Sequence, residues 1–261
     1  MDKLAEGLKR ALNGASDVVV VYTDLSRLPL WCGSKEATLE AHADAILGAA
    51  EGRTVLFPTF NYDWCRTGRY DPDSDPSQVG ELNEWVRVNR ADYRTLTPVF
   101  NFAVVSKLPL APWLPSSCPF AHRSVFSWLV MKGATVLGYG APLYNCSALH
   151  VAEYFAHAPY RYVKDFRGFI AGDGKPHTLH YPVAPPEGVT YDWAKVERLL
   201  IPLFSTHDVG CGSVRVGRAD GVYHRLMDAL RDDEHAFLTE PPTALYERFG
   251  KPLTVECEVA A

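Results

Sequence analysis

Apolar positions along this chain change period from segment to segment, and the changes mark the elements. Leu4, Leu8 and Leu12 recur every four residues, which predicts a first helix over residues 2–13 with one buried stripe. Asp17 then opens VVVVYTDL, a continuous β-branched run of the kind carried by a strand covered on both faces. EATLEAHADAILGAAEG predicts a second helix ending near Gly52, and TVLFPTF predicts a second buried strand. Farther on, residues 99–106 read as a strand, 124–132 as a helix and ATVLGYG as a strand. This alternation predicts an α/β fold with a mostly parallel central sheet flanked by helices. Beyond residue 160 the pattern predicts strands and loops to about residue 190, then a helix pair at 217–232 and 241–248. No repeat, low-complexity linker or clear boundary interrupts the chain, so one domain over residues 1–261 is expected.

Between Asn61 and Tyr93 neither period holds. The segment is polar, aromatic and rich in turn residues, and its aromatics favour an ordered binding loop. Its carboxylates, Asp63, Asp71, Asp73, Asp75, Glu81 and Glu84, are interleaved with Tyr62, Trp64, Tyr70 and Trp85. Carboxylates can take protonated amines or sugar hydroxyls, and aromatic faces can stack on a sugar ring or a cation. The competing reading is a solvated loop in which DPDSDP is turn punctuation, without the Gly and terminal Glu of a calcium loop. Asp63 is favoured among them because it follows the strand TVLFPTF, where α/β sheets place their sites.

NCSALHVAEYF, residues 145–155, reads as a helix start that carries chemistry. Asn145, Cys146 or Ser147 can cap the helix, and His150 and Glu153, three apart, then share one face. A carboxylate beside an imidazole holds one tautomer and steadies the protonated form, as a general base requires. Ser147, with free backbone N–H groups at the helix start, can stabilise charge developing on an acyl oxygen. Against this stands ordinary helix-start grammar, in which a Ser cap and a downstream Glu recur without catalysis. Cys146 offers a rival chemistry as a nucleophile, although a buried Cys is usually a small apolar side chain. His177 and His180 lack acidic or Cys neighbours in sequence, so no metal site is expected there, and GYGAP and GCGSVRVG read as turns rather than phosphate loops.

Composition narrows the partners. The 261 residues are 47% hydrophobic with a formal charge of −5, and no run of Lys or Arg offers a basic face, so nucleic acid is not expected. Six scattered cysteines without a CxxC pair suggest free thiols in a reducing compartment. The charged, amphipathic N-terminus and the lack of a long apolar run point away from a signal peptide or a membrane span, which makes the cytoplasm the expected location.

The ordered segments resemble the antibiotic (aminoglycoside) 3-N-acetyltransferases. The most specific match is GYGAPLYNCSALHVAEYFAHAPYRY, similar to that family's Thr/Ser, small, Leu, His, x, Ala, Glu signature after a glycine-containing strand. DVVVVYTDLSRL, GRTVLFPTFNYDW, YDPDSDPSQVGELNEWVRVNRADYRTLTPVFNFAVV and PFAHRSVFSWLVMKGATVLGYG follow the family's order, over roughly residues 4–235. The resemblance implies that family's fold and transfer of an acetyl group from acetyl-CoA to an amine of an amino sugar or aminoglycoside, without a metal. It implies His150 as general base, Glu153 in its supporting network, and Ser147 where Thr is more usual. Asp63 falls on the amine-binding side, joined by Tyr62, Trp64 and Glu81 as substrate-binding candidates. Thr23, Ser124 and the backbone around Phe102 and Ala103 fall in the family's CoA-binding wall. Departures are Thr97 and Asn101 where the family commonly has His and Ser, the stretch Ala121 to Val125, and Tyr144 where an acidic residue is frequent. The expected partners are a small-molecule amine acceptor and an acyl-CoA, with a homodimer left open. The rival functions are a Cys146-dependent thiol hydrolase and a catalytically silent sugar-binding protein.

Overall fold

A computed structural model describes residues 2–106, 116–184 and 188–242. The elements in chain order are α1 (Asp2–Ala11), β1 (Val18–Thr23), α2 (Lys35–Ala49), β2 (Thr54–Pro58), α3 (Trp64–Thr67), β3 (Arg69–Tyr70), α4 (Glu81–Asn89), β4 (Tyr93–Arg94) and β5 (Phe102–Val105). They continue with α5 (Val125–Met131), β6 (Thr135–Tyr139), α6 (Ala148–Phe155), β7 (Tyr162–Ile170), β8 (Pro176–Val183), α7 (Trp193–Leu200), β9 (Ser205–Asp208), β10 (Ser213–Arg218) and α8 (Ala219–Asp232).

The main sheet has the order β4-β5-β2-β1-β6-β10-β9. Its centre is parallel: β1 pairs with β2 on one side and β6 on the other. The flanking strands pair antiparallel, β5 on β2, β4 on β5, β10 on β6 and β9 on β10, so β4 and β9 again run with the centre. The buried runs explain the layering. Val18, Val20 and Tyr22 of β1 face one core with Leu56 and Val136, while Val19 and Val21 face the other with Val55, Phe57 and Leu137. Helices α1, α2 and α4 cover the second core, and α5, α6, α7 and α8 cover the first. Alternation within an all-apolar run thus serves both faces of a strand covered on both sides.

A second sheet, β3-β7-β8, stands beside this frame. Its long hairpin β7–β8 carries short β3 on the parallel side, where Phe169 N–H donates to Gly68 O at 2.8 Å. A Cβ on Gly168 would lie 2.1 Å from that carbonyl, and Gly68 itself has φ 64°, so the two glycines let the backbones meet.

The polar segment after β2 is shorter as a loop than its composition suggests. Residues 81–89 form α4, whose Leu82, Trp85 and Val86 enter the core. The helix expected at 217–232 is α8, and the one expected at 241–248 lies almost wholly outside the described residues. Among the described residues no helix is long and apolar enough to cross a membrane, and no group of three His, Cys, Asp or Glu could hold a metal ion.

Candidate active site

The carboxyl end of β6 delivers the site. Gly140, at φ 73°, turns the chain where a Cβ would strike Asp24 O at 2.2 Å. A single 3-10 turn, Leu143–Asn145, follows. Its first amides donate to Glu197 of α7, Leu143 N at 2.8 Å and Tyr144 N at 3.3 Å, and Arg215 of β10 holds the same carboxylate from the other side. Helix α6 then starts at Ala148, and Ser147 occupies its cap position without a side-chain cap bond. The Ser147 hydroxyl is therefore not consumed by capping. The neighbouring amides are more occupied than the sequence suggested: Ser147 N–H donates to the Tyr22 hydroxyl at 3.4 Å, Leu149 N–H to Cys146 O at 3.3 Å and His150 N–H to Ser147 O at 3.1 Å. The Ser147 hydroxyl is free of capping but not unpartnered: the residue is 7% exposed and its side chain also bonds the Tyr22 hydroxyl.

One turn into α6, four side chains close on one another. His150 Nδ1 lies 2.8 Å from Glu153 Oε2, as the three-residue spacing predicts. Arg161, from the turn before β7, places Nη2 at 2.7 Å from Glu153 Oε2, 2.7 Å from the Tyr191 hydroxyl and 2.8 Å from His150 Nδ1. The Tyr191 hydroxyl donates to Glu153 Oε1 at 2.6 Å. Arg161 Nη1 donates to Pro182 O of β8 at 2.7 Å, tying the cluster to the second sheet.

Counting protons selects a tautomer. A terminal guanidinium nitrogen carries two hydrogens, so Nη2 cannot serve three acceptors at once. The carboxylate is the strongest acceptor, and Tyr191, whose own proton goes to Glu153, turns a lone pair to the arginine. A bare Nδ1 would then set its lone pair 2.8 Å from a carboxylate oxygen. The consistent assignment is Nδ1–H donating to Glu153, with the lone pair on Nε2. The imidazole is not sealed in: 27% of its side chain is exposed, against none for Glu153.

Burial pulls the His150 imidazole below its ordinary value, and the adjacent Arg161 charge pulls the same way; Glu153 opposes both without cancelling them. An unperturbed imidazole titrates near about 6.5, and the surroundings of His150 move it lower, toward a neutral ring. For Glu153, burial alone pushes upward, but the Arg161 charge and the bonds from His150 and Tyr191 outweigh it and hold the carboxyl down at about 2. Cys146 contrasts with both. It is 4% exposed, and burial pushes its thiol up to about 11, only partly offset by the Ala148 amide and the Tyr22 hydroxyl. A protonated, covered thiol is a poor nucleophile.

The remaining predicted residues fall in different places. Tyr62 is 43% exposed, and its ring meets Phe100 at 6.1 Å; Phe100 meets Phe120 at 5.0 Å, and Phe120 meets His150 at 5.5 Å. Tyr181 of β8 touches Phe100 and Phe120 in the same row. A file of rings thus connects the start of the polar segment to the imidazole. Asp63 sits beside Tyr62, its half-exposed carboxylate paired with Arg66 at 3.1 Å. Trp64 is 1% exposed and packs in the core, so its face is not open for stacking. Glu81 is exposed, bonds Lys35 at 2.8 Å and lines a cleft of about 480 Å³ with Leu39, Val79 and Trp85, a cleft that none of Ser147, His150 and Glu153 lines.

Three of the expected CoA-wall positions are internal. Phe102 and Ala103 are wholly buried within the sheet, β5 being paired to both β2 and β4, so their backbone lies inside two ladders. Ser124 is 1% exposed and spends its hydroxyl on capping α5, accepting from Ser127 N–H at 3.1 Å. Thr23 is half-buried at the end of β1 and donates to Asn83 at 2.9 Å. Of the departures, Asn101 is fully buried, and its side-chain oxygen accepts from Thr59 and Arg94. Arg161, Tyr191 and Tyr181 are the residues that sequence reasoning missed. Arg161 lay inside the quoted motif, but nothing in the motif says which way its side chain turns.

The family model described as "Aminoglycoside 3-N-acetyltransferase" matches residues 20–231. The chain is 28% identical over 198 residues to aminoglycoside N(3)-acetyltransferase VII of Streptomyces paromomycinus, covering 66% of each chain. It is 29% identical over 178 residues to aminoglycoside N(3)-acetyltransferase VIII of Streptomyces fradiae, covering 60% of this chain and 61% of that one. The matches therefore span just under two thirds of these relatives' own length. Among solved structures, AAC-IIIb in a binary complex with CoASH superposes with a TM-score of 0.70 at 18% identity, covering 91% of this chain and 98% of the other.

Proposed function

This chain belongs to the aminoglycoside 3-N-acetyltransferase family, and from that premise we propose that it transfers the acetyl group of acetyl-CoA to the amine of an amino sugar, free or within an aminoglycoside, with His150 as general base. The observation that carries the reading is the heavy-atom geometry around His150, from which the protons are assigned. Glu153 takes Nδ1–H, Arg161 keeps Glu153 ionised, and the basic lone pair is left on Nε2 of a ring that reaches solvent.

Acetyl-CoA supplies an electrophilic thioester carbonyl. An amine of the acceptor loses its proton to His150 Nε2 as its nitrogen attacks that carbon. The new charge on His150 forms next to Glu153, whose carboxylate stays ionised across the neutral range. The Ser147 hydroxyl, three residues earlier on the same helix start and free of capping, donates to the developing negative charge on the acyl oxygen. The C–N bond forms, the C–S bond breaks, and the CoA thiolate departs. No covalent bond to the protein is required, which agrees with a Cys146 thiol that is covered and protonated.

Free-thiol release from acetyl-CoA, followed with a panel of amino sugars, tests the reading. His150→Ala is expected to bind CoA in a calorimeter and to lose about 100-fold or more in turnover. Near-normal turnover by a folded His150→Ala protein rejects the assignment. Turnover that vanishes in Cys146→Ala instead supports the thiol hydrolase, and failure to bind CoA supports a silent sugar-binding protein.

A further inference from the structure

Arg161 Nη2 carries two hydrogens and faces three acceptors, so one acceptor must go without. Glu153 Oε2 and the Tyr191 hydroxyl each lie 2.7 Å away and His150 Nδ1 lies 2.8 Å away, so distance does not rank them. In one form the arginine serves Glu153 and Tyr191, and His150 Nδ1–H donates to the carboxylate. In the other it turns a hydrogen to a bare Nδ1, and the ring carries its proton on Nε2. The second form has no lone pair on Nε2 to take an amine's proton.

Bond counts separate the two forms. With the Tyr191 hydroxyl in place the first makes four: His150 to Glu153, Arg161 to Glu153, Arg161 to Tyr191 and Tyr191 to Glu153. The second makes three: Arg161 to His150, Tyr191 to Glu153 and one remaining Arg161 bond, to Glu153 or Tyr191. Without the hydroxyl each form makes two, since the arginine keeps Glu153 in both and the choice is between His150 to Glu153 and Arg161 to His150. The hydroxyl is therefore worth one hydrogen bond to a charged group in the choice of tautomer, a factor of about ten or more in their ratio. The close approach of a bare Nδ1 to Glu153 disfavours the second form with or without the hydroxyl, and so cancels in the comparison.

Tyr191 is fixed in this place from outside the network. Asp192 N–H donates to Phe237 O at 2.8 Å and Thr239 N–H to Thr190 O at 3.0 Å, and Tyr191 itself bridges Leu238, so the segment after α8 pins the one that carries the phenol. Its ring stacks on Trp193 at 4.6 Å with 9° between planes. Phe120, which meets the imidazole at 5.5 Å, brings no charge. Burial pushes Tyr160 and Tyr181, the other phenols near Glu153, upward, so both stay neutral.

We propose that Tyr191 is a positioning residue for the base. By taking one Arg161 hydrogen and giving its own to Glu153, it keeps the arginine off Nδ1 and holds His150 in the tautomer that leaves Nε2 free. The inference rests on His150 acting as the base, and adds to it a residue that acts through Arg161 and Glu153.

The experiment is nitrogen-15 NMR of the His150 ring at pH 7 in the parent protein and in Tyr191→Phe, which removes the hydroxyl and keeps the stacked ring, alongside steady-state thiol release. Tyr191→Phe is expected to raise the ratio of the Nε2–H to the Nδ1–H tautomer by about tenfold or more, and to lower kcat in step, with KM for acetyl-CoA unchanged. A folded Tyr191→Phe protein that keeps the parent's tautomer ratio overturns the inference, whatever its turnover, and leaves His150 standing as the base. The parent protein carries a second test that needs no variant. A coupling across a hydrogen bond between Arg161 Nη2 and His150 Nδ1 is expected to be absent there, and its detection overturns the inference. A parent ring that is mainly Nε2–H overturns the inference together with the base it serves.

Discussion

Two buried arginines in this molecule are held by comparable numbers of bonds and do different things. Arg94, 6% exposed, donates to the side chains of Thr59 and Asn101, to Thr59 O at 2.6 Å and to Asp75 O, and lies over the Tyr70 ring at 5.4 Å. None of these partners changes charge near neutral pH, and burial draws this guanidinium below its usual value. Arg161, 4% exposed, sits directly on the Glu153 carboxylate, with an imidazole and a phenol on the same nitrogen. The first ties the polar segment to the sheet. The second sets the protonation of a ring that reaches solvent. Burying a charge is therefore not what marks a candidate site; coupling it to a titratable group that reaches solvent is.

The sharpest way to break this contrast is to remove each arginine in turn. Arg161→Met leaves the Glu153 carboxylate buried without its counter-charge and is expected to cost about 3–5 kcal/mol of stability, together with most of the turnover, as read by denaturant unfolding and thiol release. Arg94→Met leaves only neutral acceptors unpaired and is expected to cost about 1–3 kcal/mol, with turnover per folded molecule retained. Equal losses of turnover in the two variants would erase the distinction.

Next in size is His150→Ala, for which the stability change is expected to be small because the ring is partly exposed, while kcat falls about 100-fold. A pH profile sharpens the same point. The His150 value is lowered in the folded protein, so the ring stays neutral and active through pH 7, and activity falls only as pH drops below about 6.5 and protonates Nε2. Stability falls in the same direction, since the unfolded chain takes up this proton first. The Glu153 contribution is lost further down, as pH falls from the ordinary carboxylate range toward about 2. An acid limb above pH 7 would contradict the lowered value. The smallest effect expected is that of Cys146→Ala, with turnover close to that of the parent protein.

The parts of this molecule that were legible in the sequence are those whose cause is local. The β-branched run at Val18 and the apolar runs at Thr54 and Ala134 became β1, β2 and β6, because a strand covered on both faces must be apolar on both. His150 and Glu153 met as predicted because three residues is nearly one helical turn. The edges were harder. Strand β9 reads Ser-Thr-His-Asp and is mostly exposed, so it carries no apolar signal, and α4 was masked by the acids and turn residues around it. Arg161 and Tyr191 stand 11 and 41 residues beyond His150, and only the turn before β7 and the pinned segment before α7 bring them back to it. Trp64 misled for the opposite reason: an aromatic in a polar segment reads as exposed, yet the short helix α3 turns it into the core.

The proposed chemistry requires His150 to be a neutral imidazole with its proton on Nδ1 and its lone pair on Nε2. Nitrogen-15 NMR of the labelled ring, recorded from pH 5 to pH 8, tests it directly. An Nδ1–H tautomer at pH 7 that protonates at Nε2 below about 6.5 is expected; a protonated ring or an Nε2–H tautomer at pH 7 rules out His150 as the base.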